Sequence, residues 1–204
     1  MDSTDWDTRY AGSELVWSAT PNVWVEQVCS ALPPGTAIDL GAGEARNALW
    51  LAARGWQATA VDFSEVALER ARRLAVERLG ENAHRLHTAC ADLTTFEPDA
   101  VYDLALVVYL QVPAPQRRTI LNAAARCLAP GGRLVVVAHH SDNLAAGVGG
   151  PQDPAVLYTE SDVLDDLATS LAGGGFVTER ADRVVRAVGQ ERSAIDTLVV
   201  LRRG

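Results

Sequence analysis

The chain has 204 residues, and its 48% hydrophobic and 22% charged residues are typical of one globular domain that needs no disulfide or metal to stabilise its core. The 18 basic and 26 acidic residues give a formal net charge of −8, which disfavours a nucleic-acid backbone as the main partner. Every basic residue is an arginine, so chemistry that needs a Schiff-base lysine or a phosphate-loop lysine is excluded.

The three cysteines lie far apart and have neither the spacing of metal ligands nor that of a redox pair. The N-terminus is acidic, and no stretch approaches the roughly 20 apolar residues that span a bilayer. We therefore expect a reduced, cytoplasmic protein without a metal site and without membrane or nucleic-acid partners. We expect residues 1–204 to form a single domain, with residues 1–30 as an N-terminal arm and helix.

Apolar runs alternate with stretches of helix formers along the chain, and Gly or Pro residues separate them. In chain order the predicted elements are strand 36–40, helix 47–54, strand 57–62, helix 65–79, strand 85–89, strand 102–109, helix 115–128, strand 133–138, helix 160–172, strand 176–188 and strand 194–201. Ser64 and Thr159 are well placed to cap the helices that follow them.

This alternation predicts a doubly wound, mostly parallel α/β sheet of seven strands with helices on both faces. The last two strands follow each other directly, and Gly189 between them predicts a C-terminal antiparallel hairpin. The loop at 143–158 is long for a connector and is expected to border a substrate pocket. Arg183 and Arg186 on the hairpin can meet an anionic substrate or face solvent, and the second interpretation is favoured.

In an open α/β sheet the ligand binds outside the carboxyl ends of the strands, so residues that follow strands are candidate ligands. Gly41 and Gly43 follow the first strand and let a ligand approach the backbone N–H groups at a helix start. Asp62 ends the second strand and can accept hydrogen bonds from both hydroxyls of a ribose. Asp92 follows the third and can accept from the amino group of a purine. Two neighbouring side chains offer apolar faces to the purine ring, Phe63 and Leu93.

Five segments together resemble the successive motifs of class I S-adenosylmethionine-dependent methyltransferases. They are 39–47 (Asp-Leu-Gly-Ala-Gly-Glu-Ala-Arg-Asn), 54–56 (Arg-Gly-Trp), 60–64 (Ala-Val-Asp-Phe-Ser), 90–93 (Cys-Ala-Asp-Leu) and 128–132 (Leu-Ala-Pro-Gly-Gly). The resemblance covers essentially the whole chain and is greatest to the small tellurite-resistance-type and thiopurine-methyltransferase-like branch. It implies a Rossmann-like methyltransferase fold with an antiparallel seventh strand.

The same resemblance implies that S-adenosylmethionine is the cofactor and S-adenosylhomocysteine the product. Asp39, Gly41 and Gly43 would then hold the methionine end, Asp62 the ribose and Asp92 the adenine amino group. The chain has Ala45 where the family usually has a third glycine, and the turn is expected to tolerate this methyl group. Arg46 either holds the cofactor carboxylate or faces solvent at the start of its helix.

A methyl group on a sulfonium is already activated, so such an enzyme mainly aligns the nucleophile and excludes water. Tyr109 and Gln111 lie at the carboxyl end of the fourth strand, and His139 and His140 lie at that of the fifth, which makes all four candidates for the acceptor side. Tyr109 and the histidines are the catalytic candidates. Neighbours on a strand point to opposite faces, so at most one histidine would enter the site as a general base. The alternative is that each histidine orders the loop that follows.

Aromatic residues are dense in the N-terminal arm, where they suggest a lid that shields the cofactor and meets its sulfonium by cation–π contact. These residues are Trp6, Tyr10, Trp17 and Trp24. The alternative is an amphipathic arm that docks on the sheet.

The absence of an inserted domain favours a small-molecule acceptor with an oxygen, sulfur, nitrogen or chalcogen nucleophile. Two other functions remain open: a non-catalytic protein that binds S-adenosylmethionine or S-adenosylhomocysteine, and a nicotinamide-dependent oxidoreductase. The second would share Gly41, Gly43 and Asp62 but gives no account of Asp92 or of the final hairpin. The acceptor, the atom that is methylated and the oligomeric state are left open.

Overall fold

Seven strands form one sheet in the computed structural model of the chain, which describes residues 20–98, 100–189 and 191–204. The helices are α1 (Val23–Cys29), α2 (Arg46–Ala53), α3 (Glu65–Leu79), α4 (Ala114–Arg126), α5 (Asn143–Ala146), α6 (Glu160–Asp166) and α7 (Ala168–Ala172). The strands are β1 (Thr36–Leu40), β2 (Gln57–Asp62), β3 (Leu86–Cys90), β4 (Tyr102–Val108), β5 (Leu128–His139), β6 (Phe176–Val188) and β7 (Arg192–Arg203). Short 3₁₀ turns occur at Gly80–Arg85 and Pro154–Val156.

The strand order across the sheet is β3-β2-β1-β4-β5-β7-β6. Strands β1 to β5 pair in parallel, whereas β7 is antiparallel to both β5 and β6. Gly189, in the turn between β6 and β7, has φ +71°. The predicted mostly parallel seven-stranded sheet with a C-terminal antiparallel hairpin is therefore confirmed.

Two apolar cores cover the two faces of the sheet. Helices α1, α2 and α3 pack on one face, against alternate strand residues such as Leu104, Leu106 and Val135. Helices α4 and α6 pack on the other face, against the intervening strand residues, such as Ala105 and Val136. Successive side chains of a strand point to opposite faces, so β5 directs Val135, Val137 and then His139 towards the α1–α3 side.

Most predicted elements end within two residues of their observed bounds, but two elements differ more. Strand β5 begins at Leu128 because this residue already pairs with Tyr102, and a register shift absorbs the residues before Arg133. The helix predicted at 160–172 is broken at Leu167 into α6 and α7. There the carbonyl of Asp166 accepts a hydrogen bond from the Asn122 side chain at 2.9 Å, which competes with continued helical bonding.

Within the described residues, no helix combines the length and hydropathy required to cross a bilayer.

Candidate active site

A glycine turn joins β1 to α2 at the carboxyl edge of the sheet. Gly41 and Gly43 have φ angles of +78° and +55°, a conformation that glycine adopts without steric cost. The N–H groups of Gly41 and Ala42 donate to the carbonyl of Val61 at 2.9 and 3.0 Å, which holds the turn against the end of β2. A Cβ at Gly41 would lie 3.0 Å from a methyl of Leu110, so a side chain would fill the space beside this turn.

The Asp62 carboxylate lies directly against the glycine turn. Its Oδ2 accepts the N–H of Gly43 at 2.8 Å, and its Oδ1 accepts the N–H of Ser64 at 2.9 Å. The side chain is buried because it ends β2 under the turn. The structure thus brings together the glycines and the first of the two strand-end carboxylates selected from the sequence.

Asp92 lies two residues beyond the end of β3, at the same edge of the sheet. The register pairs Asp62 with Cys90, and the N–H of Ala91 donates to the carbonyl of Asp62 at 3.0 Å. Asp92 is exposed, unlike Asp62. The backbone and hydroxyl of Thr94 donate to its Oδ1, and these bonds lower the pKa of Asp92.

Asp39 is a buried carboxylate beneath the same turn. Among the described residues its Oδ2 has no hydrogen-bond partner. Burial raises the pKa of Asp39 to about 7, although the positive charge of Arg46 at the start of α2 opposes this shift. A buried carboxylate oxygen of this kind is satisfied when a cationic group of a ligand reaches it.

Ala45 occupies the N-cap of α2 with φ +59° and is fully buried. A Cβ costs about 1–2 kcal/mol in this left-handed conformation. The turn nevertheless forms with alanine, as the sequence led us to expect.

Tyr109 and His139 form a wall beside the glycine turn. Tyr109 follows β4 with φ +55°, a strained conformation for a bulky residue. Its ring stacks on the His139 ring with centroids 4.6 Å apart and an interplanar angle of 20°. The guanidinium carbon of Arg46 lies 5.9 Å from the centroid of the Tyr109 ring. Arg46 is thus close to both Asp39 and the catalytic candidates.

Asp196 on β7 lies behind this wall and was not selected from the sequence. Its side chain is fully buried, and its Oδ2 accepts hydrogen bonds from Trp24 Nε1 at 2.9 Å, Tyr109 Oη at 2.9 Å and Arg186 Nε at 3.0 Å. Its Oδ1 lies 3.3 Å from Nδ1 of His139. We call these five residues the Asp196 cluster.

The charge of the Asp196 cluster is balanced by its donors. Burial alone would raise the pKa of Asp196, but the contacts with His139 and Trp24 and the charge of Arg186 outweigh burial and hold it below its usual range. Burial raises the pKa of Tyr109 to about 12. The preferred interpretation of Arg186 as a solvent-facing residue is therefore wrong, because the guanidinium neutralises a buried carboxylate. A lone carboxyl within the apolar strand 194–201 was the signal that could have identified Asp196.

His140 lies apart from the wall. Its Nδ1 accepts the N–H of Asp142 at 3.0 Å, and its Nε2 lies 3.5 Å from a carboxylate oxygen of Glu160. These contacts connect the end of β5 to the following loop and to α6. The structure therefore separates the two neighbouring histidines, and only His139 faces the side of the sheet that carries Asp39 and Asp62.

The side-chain amide of Gln111 forms hydrogen bonds with backbone groups. Its Oε1 accepts the N–H of His139 at 2.9 Å, and its Nε2 donates to the carbonyl of Val156. Of the lid residues, Trp6, Tyr10 and Trp17 lie outside the described residues.

Comparisons with known proteins add to this geometry. Residues 37–132 match the family model described as a methyltransferase domain. The ubiquinone biosynthesis O-methyltransferase of Alkalilimnicola ehrlichii is 32% identical over 114 residues, which cover 55% of this chain and 44% of that protein. A probable non-canonical nonribosomal peptide synthetase, CymA of Salinispora arenicola, is 32% identical over 150 residues, or 68% of this chain and 2% of that protein. The chain thus spans less than half the length of these curated relatives.

Solved structures share the whole architecture. TehB from Haemophilus influenzae has a TM-score of 0.70 at 16% identity, over 98% of this chain and 66% of that chain. The magnesium protoporphyrin IX methyltransferase ChlM from Synechocystis PCC 6803, solved with bound S-adenosylhomocysteine, has a TM-score of 0.70 at 18% identity, over 98% and 94%. The fold is that of the class I methyltransferases. The family-model match over residues 37–132 agrees with the class I S-adenosylmethionine-dependent methyltransferase motifs identified in the sequence.

Proposed function

We propose that this chain transfers a methyl group from S-adenosylmethionine to a small molecule with a hydroxyl, amine, thiol or other chalcogen nucleophile. The observation that carries the proposal is the placement of the Tyr109–His139 wall beside the glycine turn, with Arg46 close to both. A site for the methionine end of the cofactor and a candidate base then lie next to each other. The nicotinamide-dependent alternative accounts for neither Asp92 nor the hairpin.

The residues around the glycine turn fit the methionine end of this cofactor. The partnerless oxygen of Asp39 is suited to the ammonium group. Arg46 begins α2 near Asp39 and is suited to the carboxylate. Gly41 and Gly43 keep the turn open to a ligand, since neither carries a Cβ.

The neighbouring strand ends fit the adenosine. Asp62 would accept from the ribose hydroxyls while it holds the turn through Gly43. Asp92 is exposed at the same edge, where its carboxylate would accept from the adenine amino group. Phe63 and the buried Leu93 flank these carboxylates in the chain and would contact the ring.

His139 is the proposed general base, and Tyr109 packs against it. The bound cofactor supplies a methyl group already activated on a sulfonium. The task of His139 is to remove the proton of a hydroxyl or amine as the new bond to carbon forms. His140 is less suited because its Nδ1 already accepts the backbone N–H of Asp142. Tyr109 is not a base near neutral pH, since its pKa is raised to about 12.

Matched aromatic acceptors test this proposal. We expect turnover of phenol, benzylamine or thiophenol in the presence of S-adenosylmethionine. The variant His139→Gln should lower kcat for phenol by about 10²-fold or more, the usual contribution of a general base. It should leave thiophenol nearly unaffected, because thiophenol is already ionised at neutral pH. The control is His84→Gln, which changes an exposed histidine in the 3₁₀ turn before β3.

Two outcomes would contradict the proposal. Equal loss of phenol and thiophenol turnover would show that His139 is not a base. Tight binding of S-adenosylmethionine by calorimetry, with no turnover of any of the three acceptors, would favour a non-catalytic cofactor-binding protein.

A further inference from the structure

We infer that Asp196 is a positioning residue that holds the ring proton of His139 on Nδ1 and thereby presents Nε2 as the basic nitrogen. The inference rests on the proposed function, in which His139 takes a proton from the acceptor. It assigns a role to a carboxylate on β7 that lies far along the chain from the motifs of the cofactor site.

The two side chains are direct neighbours across the sheet. The register of β5 and β7 pairs His139 with Asp196, so both side chains leave the sheet on the same face. Nδ1 of the ring and Oδ1 of the carboxylate are 3.3 Å apart. Both atoms are buried, and neither has an aligned hydrogen bond to any of the described residues. Each is therefore well placed to satisfy the other after a small adjustment.

The other carboxylate oxygen is already occupied. Oδ2 of Asp196 accepts from Trp24, Tyr109 and Arg186 at 2.9 to 3.0 Å. These three donors come from α1, the segment after β4, and β6, so the carboxylate is held from three directions. With Oδ2 held by these donors, Oδ1 faces His139, and the carboxyl group need not rotate for Oδ1 to reach Nδ1 of the ring.

The charge of Asp196 determines the tautomer of the ring. An ionised carboxylate only accepts hydrogen bonds, and a neutral imidazole carries one N–H and one lone pair. A lone pair on Nδ1 would face a negatively charged oxygen and repel it, whereas an N–H there forms a charge-assisted bond. Two guanidinium groups from other elements face the wall, those of Arg186 and Arg46, each 5.9 Å from the Tyr109 ring centroid. Neither can accept the ring proton.

The His139 ring is also held in place sterically. Tyr109 stacks on it, and the same Asp196 carboxylate fixes the Tyr109 hydroxyl. Gly150 in the loop after β5 lies so close that a Cβ there would come within 2.6 Å of Cδ2 and 2.9 Å of Nε2 of the ring. Glycine at this position therefore avoids a clash with the edge of the ring that carries Nε2. A fixed ring with a fixed tautomer is what efficient proton transfer requires.

Nitrogen-15 NMR of the histidine rings tests the inference without any acceptor. Ring spectra of the wild-type chain at alkaline pH, where the rings are neutral, report which nitrogen carries the proton. The His139 signals are assigned by their loss in His139→Gln. We expect the Nδ1–H tautomer for His139 in the wild type and a mixture of tautomers in Asp196→Asn, because an amide can donate as well as accept. A wild-type ring with its proton on Nε2 would overturn the inference, whether or not the variant folds.

Kinetics give a second, separate readout. Asp196→Asn should lower kcat for phenol at least tenfold, with an unchanged KM for S-adenosylmethionine and a much smaller effect on thiophenol. Asp182→Asn makes the same chemical change at an exposed position of β6 and should have no effect. A folded Asp196→Asn with wild-type kcat and tautomer would overturn the inference. Absence of turnover for every acceptor, with the Nδ1–H tautomer present and lost in Asp196→Asn, would instead count against the proposed function.

Discussion

At the scale of single residues, the site is distinguished by carboxylates in places where carboxylates are costly. Asp39, Asp62 and Asp196 are all nearly or completely buried. Both oxygens of Asp62 and the Oδ2 of Asp196 accept hydrogen bonds from the protein. Oδ1 of Asp196 lies 3.3 Å from Nδ1 of His139 without an aligned hydrogen bond, and Oδ2 of Asp39 has no partner among the described residues. An unsatisfied buried charge destabilises the folded state. Its presence beneath the glycine turn is explained when the turn binds a cation.

The raised pKa of Asp39 predicts that cofactor affinity depends on pH. The folded-state value of about 7 exceeds the ordinary 3.8, so between these values the folded chain holds a proton that the unfolded chain releases. The contribution of Asp39 to stability therefore falls as pH rises through this window. An ammonium group beside Asp39 favours the ionised form. Affinity for S-adenosylmethionine should thus increase with pH, by at most about tenfold per unit, and level off near pH 7.

Calorimetry from about pH 5 to about pH 7 measures this dependence, and the proton released on binding should appear as a dependence of the heat on the buffer. The variant Asp39→Asn should bind more weakly at pH 7 and lose the dependence on pH. Affinity that is independent of pH in the wild type would show that the cofactor does not ionise Asp39.

Residue types at strand ends could be selected from the sequence, but Asp196 could not. The carboxyl ends of parallel strands meet at one edge, so Gly41, Gly43, Asp62 and Asp92 were expected to converge. The contact of His139 with Asp196 depends on the register of β5 with β7. No local pattern encodes that register, since it is set by packing of the whole sheet. The left-handed conformation of Tyr109 likewise follows from its tertiary contacts.

At the scale of elements, the start of α2 combines a tight turn with a buried residue. Ala45 caps the helix in a left-handed conformation, and its side chain packs in the core between the sheet and helices α1 to α3. Gly41 and Gly43 in the same turn also have positive φ angles. Element types were well predicted from apolar periodicity. The bounds of β5 and the break between α6 and α7 were not, because they depend on the bulge opposite Tyr102 and on the contact of Asn122 with Asp166.

Substitutions at Ala45 should distinguish the cost of backbone strain from the contribution of side-chain packing to stability. Ala45→Val places a β-branched side chain at φ +59° in a filled core and should lower the free energy of unfolding by about 2 kcal/mol or more. Ala45→Gly relieves the backbone strain, which stabilises the fold, but removes a buried methyl group, which destabilises it. These opposing effects are each on the order of 1 kcal/mol. Its free energy of unfolding should therefore stay within about 1 kcal/mol of the wild type. Urea denaturation measures both, and a stable Ala45→Val would contradict the strained conformation.

At the scale of the whole molecule, the cofactor should act as a folding ligand. A ligand that binds only the folded chain stabilises it by about 2.7 kcal/mol at a hundred times its Kd. For a chain of this size that corresponds to a rise in Tm of roughly 5–10 °C. We expect this rise with S-adenosylmethionine or S-adenosylhomocysteine and none with NAD. Differential scanning fluorimetry measures it, with Asp62→Ala as the control that should lose the rise. A rise with NAD alone would contradict the assigned cofactor.

The strand order means that the two halves of the site are completed at different stages of chain synthesis. The glycine turn, Asp39 and Asp62 come from β1 and β2, which are neighbours early in the chain. Asp196 reaches its partners only when β7 enters the gap between β5 and β6, both of which precede it in the chain. During synthesis, the half proposed to bind the cofactor is therefore complete before the half proposed to take the acceptor's proton. On the proposed roles, opening of the hairpin removes Asp196 from His139 while the glycine turn, Asp39 and Asp62 keep the strand pairing of β1 with β2.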